Sequence, residues 1–162
     1  MTIVADSELR AGLEAALGVR RWVDEVAGIA PFPGLDELLD AARTAATPLS
    51  RGEIDEAMAH HPRIGERPIG TGAAAAHSLR EQQAPDQDDA ELTAALAAGN
   101  AAYEARFGRV FLIRAAGRTR AEILHELERR LALDDDTELA IVGEQLREIA
   151  VLRLAATFGG NA

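Results

Sequence analysis

From Leu92 through Leu96, Gly99 and Tyr103 to Phe107, apolar and small residues step along the chain by four and three, and Gly108 stands where the run would stop. That spacing turns one face of an α-helix inward and places a residue able to adopt the left-handed conformation at its end. The same rhythm recurs through the chain. Leu9, Leu13 and Leu17 predict a first helix opening at Ser7 and ending at Gly18, and Trp22, Val23, Val26 and Ala27 predict a second ending before Gly28. After the turn Ala30-Pro31-Phe32-Pro33-Gly34, a third helix carries Leu35, Leu38, Leu39 and Ala42. Ser50-Arg51-Gly52-Glu53 and Thr119-Arg120-Ala121-Glu122 are capping boxes, in which serine or threonine and glutamate satisfy each other's free amides at a helix start. The first opens a helix that buries Ile54, Ala57 and Met58 and stops near His61, because a residue before proline avoids the helical region. The second opens a helix burying Ile123, Leu127 and Leu131, and a last helix follows Asp134-Asp135-Asp136 and runs to about Phe158.

Two stretches break the pattern. Residues 62–72 contain prolines and glycines that predict a loop, and Val110-Phe111-Leu112-Ile113 predicts a short buried extended segment. Hydrophobic residues make up 48% of the chain but aromatics only 4%, so the core is built from Ala, Leu, Ile and Val, which suits close-packed helices better than sheets. The expected fold is all-α, one compact domain over residues 1–162 with seven to nine helices.

Composition also limits the chemistry. The chain has no lysine and no cysteine, which removes Schiff-base catalysis, thiolate nucleophiles and thiolate metal sites. The net charge is −10 and the arginines are scattered, so no nucleic-acid partner is expected. No apolar run approaches the ~20 residues that span a bilayer, and the first residues, Met1 to Asp6, lack a secretory signal; a cytoplasmic location away from the membrane is expected. Three fragments of metal or phosphate motifs are incomplete. Gly65 to Gly72 lacks the phosphate-loop lysine, His125 to Arg129 lacks a second histidine, and Asp134, Asp136 and Glu138 lack the glycine of a calcium loop. No metal is predicted, and the aspartates read as favourable charge at a helix start.

The residues left for chemistry are few. His61, between His60 and Pro62, falls at a helix C-terminus whose dipole favours the imidazolium; it reads either as a plain helix stop or as a positioned proton donor. His60 reads as an ordinary exposed residue. Ser78-Leu79-Arg80-Glu81 reads as another capping box, or as donors aimed at an anion with a glutamate able to order a histidine. Arg153 falls on the apolar stripe of Leu139, Val142, Leu146, Ile149 and Ala156. Such an arginine either snorkels to water or binds a buried anion.

The order of short motifs resembles the 2-oxo-4-hydroxy-4-carboxy-5-ureidoimidazoline (OHCU) decarboxylase family of urate degradation. It runs from Ala30-Pro31-Phe32 with Leu38-Leu39 and Ala42, through His61-Pro62-Arg63-Ile64-Gly65, Ser78 with Glu81-Gln82, and Tyr103 with Phe107-Gly108, to Phe111-Leu112-Ile113, Ile123-Leu124 and Leu152-Arg153-Leu154. The His-Pro-Arg-Ile-Gly and Ser-x-x-Glu-Gln pair is the specific part. The resemblance implies an all-helical, cofactor-free enzyme, compatible with a homodimer, that turns a small anionic ureide into (S)-allantoin and carbon dioxide. It implies that His61 and Glu81 are catalytic and that Pro62, Ser78 and Gln82 line the pocket. It further implies that the backbone near Ile113 contacts the ureide and that Arg153 binds substrate. Two departures bear on pocket shape: Gln83-Ala84-Pro85 stands where the family commonly has glycine two residues after Glu-Gln, and Arg114 stands where a cysteine is frequent. An acid-base enzyme acting on another ureide ring, and a non-catalytic helical ligand-binding module, are the alternatives.

Overall fold

The computed structural model describes residues 2–59, 84–86 and 88–159. Among these the chain forms seven helices: α1 Ser7–Ala16, α2 Arg20–Ile29, α3 Leu35–Ala45, α4 Arg51–Met58, α5 Ala90–Phe107, α6 Arg120–Leu131 and α7 Asp135–Phe158. The all-α expectation holds, and among the described residues β pairing amounts to an isolated bridge between Ile3 and Phe32. Residues 1–60 with 143–162 form one compact unit and residues 61–142 a second, the boundary falling inside α7.

In the first unit, α1 to α4 and the C-terminal part of α7 bury Leu9, Leu13, Trp22, Leu38, Ile54 and Leu154. The indole of Trp22 is fully buried, so its N–H needs a partner; it donates to the Ala42 carbonyl of α3 at 3.0 Å. Gly12 lets α1 sit against the Phe158 ring, which a Cβ at that position would approach to 2.5 Å. The capping box at Ser50 forms as expected, both reciprocal bonds present.

Three expected helix ends move. α1 ends at Ala16, with Leu17 extended, and Gly18 is absent from the left-handed glycines. The reason is burial: leaving the helix early lets Leu17 and Val19 both enter the core. α2 runs through Gly28 to Ile29 and stops at Ala30 (ψ 150°), because the residue before Pro31 is pushed out of the helical region. α4 ends at Met58, three residues before His61, which lies outside the described residues.

The second unit contains α5, α6, the connection between them and the first turns of α7. Its core gathers Leu96, Tyr103, Phe111, Ile113, Ala115, Ile123 and Leu127. α6 approaches α5 closely at Gly99, where a Cβ would stand 2.4 Å from Leu127 Cδ2. α5 closes at Gly108, whose left-handed conformation (φ 73°) matches the expectation. Thr119 and Glu122 form the second capping box, and Asp86 adds to that helix start, its carboxylate accepting from the Arg120 and Ala121 amides at 2.7 and 3.1 Å. Those two amides hold the Asp86 carboxyl below its ordinary pKa. Asp134 caps α7 by accepting from the Thr137 amide at 2.7 Å, as the charge argument for the aspartate run anticipates.

Candidate active site

Residues 111–115 carry the only predicted ligand contact in the second unit that lies among the described residues. The stretch is buried, with Phe111, Leu112, Ile113 and Ala115 each at most 5% exposed, yet it has no regular structure. The expected buried segment is therefore present, without a neighbouring strand among the described residues. A buried backbone without a ladder must find partners elsewhere, and here arginines supply them. Arg130 Nη1 donates to the Leu112 carbonyl at 2.7 Å, Arg118 Nε to the Arg114 carbonyl at 2.9 Å, and the Arg118 amide to the Ala115 carbonyl at 3.1 Å. Left-handed Gly108 (φ 73°) and Gly117 (φ 80°) mark its two ends.

Arg130 is itself fully buried and bound to a fully buried Glu138. Its Nε donates to Glu138 Oε1 and Oε2 at 2.7 and 3.0 Å, its Nη2 pairs with Oε1, and the Tyr103 hydroxyl donates to the same Oε1 at 2.7 Å. Burial, and secondarily the hydrogen bond to Glu138, pushes the Tyr103 hydroxyl well above its ordinary pKa, so it remains a donor. The guanidinium also lies 4.7 Å from the centre of the Phe111 ring, within cation–π range.

Neither charged residue is among the sequence-based site candidates. Glu138, which the sequence places as helix-start charge, is buried. The signal was available: Arg130 continues the Ile123, Leu127 spacing by three, and Glu138 lies four before Val142 on the inward face of α7. Arg153 carries the same signal on the apolar stripe of α7.

Arg153 is 5% exposed and its Nη1 donates to the Ala15 carbonyl at 3.0 Å, in the last turn of α1. Snorkelling to water is excluded by that burial. The neighbouring stripe needs one correction: Ala156 is exposed, and Ala150 and Leu154 are buried with Arg153. A 4-3-4-3 spacing averages 3.5 residues, so it drifts around a helix of ~3.6 residues per turn. Ile113 and Arg153 belong to different units, and each is placed within its own. His61, Pro62, Ser78, Glu81 and Gln82 lie outside the described residues. A surface cleft of about 410 Å³ beside Asp6, Arg10 and Asp24 contains none of the expected site residues.

The family model for OHCU decarboxylase matches residues 4–155. The chain belongs to the OHCU decarboxylase family. Similar members include 2-oxo-4-hydroxy-4-carboxy-5-ureidoimidazoline decarboxylases of Mus musculus and Haloferax volcanii. The mouse enzyme is 31% identical over 82% of this chain and 75% of its own length. The Haloferax enzyme is also 31% identical, over 86% of this chain and 83% of its own. The uric acid degradation bifunctional protein TTL of Arabidopsis thaliana is 34% identical over 66% of this chain, which spans about a third (34%) of that longer protein. Among solved structures, an OHCU decarboxylase crystallised in the presence of (S)-allantoin aligns with TM-score 0.73 and 28% identity, covering 90% of this chain and 96% of that one. An (S)-allantoin synthase shares the fold, with TM-score 0.61 at 16% identity over 96% of this chain and 54% of its own.

Proposed function

We propose that this OHCU decarboxylase family member converts 2-oxo-4-hydroxy-4-carboxy-5-ureidoimidazoline into (S)-allantoin and carbon dioxide in urate degradation, as a carboxy-lyase without an added cofactor. The carrying observation is the family match over residues 4–155, which includes the His61-Pro62 and Ser78-x-x-Glu81-Gln82 motifs and spans both units. That continuous match also supports treating residues 1–162 as one domain.

The chemistry suits the side chains available. When the C–COO⁻ bond breaks, carbon dioxide leaves and its electron pair stays on the ring carbon, where the adjacent ring imine accepts it; a proton then completes the product. The protein has to bind, orient and move protons. Arg153, a buried guanidinium, is suited to an anionic ureide. In this reading His61 and Glu81 manage the hydroxyl and ring protons, and Pro62, Ser78 and Gln82 shape the pocket. The backbone at Ile113 reads the ureide, and delivery from one face sets the S configuration. The acidic, cysteine-free composition supports a cytoplasmic enzyme, and family resemblance supports a homodimer.

The test is turnover of substrate generated freshly from urate by two upstream enzymes, followed by circular dichroism. Spontaneous decay yields racemic allantoin, so a lasting signal reports enzymatic product; no signal at high protein concentration overturns the assignment. His61→Ala is expected to lower the rate at least ~100-fold, the usual contribution of a placed acid or base, and full activity would remove His61 from the mechanism. Comparing rates on related ureide and hydantoin-like rings tests what Arg114 does to specificity.

A further inference from the structure

Arg130, Glu138 and Tyr103 pose a question that the proposed proton chemistry leaves open. Both ions of the pair are fully buried, and such a pair seldom stabilises a fold more than apolar side chains of the same size, because desolvation offsets the attraction. The arrangement does something apolar residues could not. One guanidinium faces both Phe111 and Leu112, through the ring at 4.7 Å and the carbonyl at 2.7 Å, just before Ile113. Glu138 grips two nitrogens of that guanidinium, and Tyr103 fixes the carboxylate with a further bond at 2.7 Å. Arg118 holds the other end of the stretch by the carbonyls of Arg114 and Ala115.

The geometry points to Arg130, Glu138 and Tyr103 as positioning residues that set the backbone at Ile113 against the substrate. Phe111, Leu112, Ile113 and Ala115 are buried, yet residues 111–115 belong to no helix or sheet, so the usual source of backbone rigidity is missing; the triad replaces it from α5, α6 and α7. The inference rests on the reading that the Ile113 backbone contacts the ureide. Loosening the segment is therefore expected to raise KM while the proton-transfer groups, and hence kcat, are little changed.

The test combines steady-state kinetics with amide hydrogen exchange of residues 111–115, in the full-length protein. The variant Arg130→Met/Glu138→Leu removes both charges together and leaves no ion buried alone. It is expected to lose protection in this segment and to raise KM roughly tenfold to a hundredfold, the scale of small misplacements of substrate-positioning groups. Arg130→Lys, which keeps the charge and one donor, is expected to recover part of that loss. Tyr103→Phe deletes one hydroxyl from an otherwise intact core and decides the matter if the double variant does not fold; KM is expected to rise about threefold, the worth of one hydrogen bond. Unchanged protection in folded variants overturns the role of the triad. Lost protection with unchanged KM overturns instead the contact between the Ile113 backbone and substrate.

Discussion

Each unit contains an arginine clasped by a glutamate and tied to a backbone carbonyl. In the first unit Arg21 meets Glu53 through Nε at 2.6 Å and Nη2 at 3.2 Å, and its Nη1 reaches Glu25 at 2.5 Å and the Ala45 carbonyl at 2.9 Å. In the second, Arg130 meets Glu138 and the Leu112 carbonyl in nearly the same pattern. The environments differ. The Arg21 and Glu53 side chains are 44% and 19% exposed, whereas Arg130 and Glu138 are sealed from water. Water can replace a lost partner in the first case and cannot in the second. The exposed clasp thus adjusts stability, while the buried one enforces geometry and tolerates the loss of neither partner alone.

The largest effect that would test this contrast comes from breaking the buried clasp on one side. Arg130→Met alone leaves Glu138 buried without its cation, and is expected to cost about 3–5 kcal/mol in urea unfolding. Adding Glu138→Leu is expected to restore most of that loss, a large coupling in a double-mutant cycle. Additive costs would show that the two side chains do not act as a pair.

The exposed clasp is expected to give a smaller and pH-dependent effect. The hydrogen bond from Arg21, followed by the backbone bond from Ser50, holds the Glu53 carboxyl down at about 2 from an ordinary 4.5. Because the folded value is depressed, the stabilisation is complete above pH 4.5 and is lost as pH falls toward 2. After allowance for solvent screening, Glu53→Gln is expected to cost about 1 kcal/mol at neutral pH and to flatten acid unfolding in that window. An unchanged acid profile would separate Glu53 from the pH response.

The smallest effect is expected at Arg10, whose pair with Asp24 at 2.9 Å is about half exposed on both sides. Arg10→Ala is expected to shift stability by less than about 0.5 kcal/mol. A larger change would mean that burial is the wrong axis for ranking these pairs.

Much of the fold is legible in the sequence. The spacing from Leu92 to Phe107 located α5, and left-handed Gly108 closed it as read; Ser50 and Thr119 opened α4 and α6 with complete capping boxes. These are local signals, carried by residues three or four apart, and local physics decides them. Gly18 and Gly28 misled for the same reason. Both could end a helix locally, but burial of Leu17 and Val19, and the proline after Ala30, set the ends elsewhere.

The site was legible unevenly. The motif order makes His61 and Glu81 candidates, and their positions lie outside the described residues, while Arg153 stands out as a cation on an apolar stripe and is buried as that position requires. Arg130 and Glu138 carry the same signal, hidden for Glu138 because acidic residues near a helix start have an easier explanation.

By itself the sequence determined the helical class, the caps, the family and the absence of lysine and thiol chemistry, because each depends on residue identity or on neighbours within a turn. Only the tertiary structure decided which charges are buried together and which backbone they hold. Tyr103, Leu112, Arg130 and Glu138 come from separate elements, and their hydrogen bonds exist only once packing has excluded the water that would otherwise satisfy each of them.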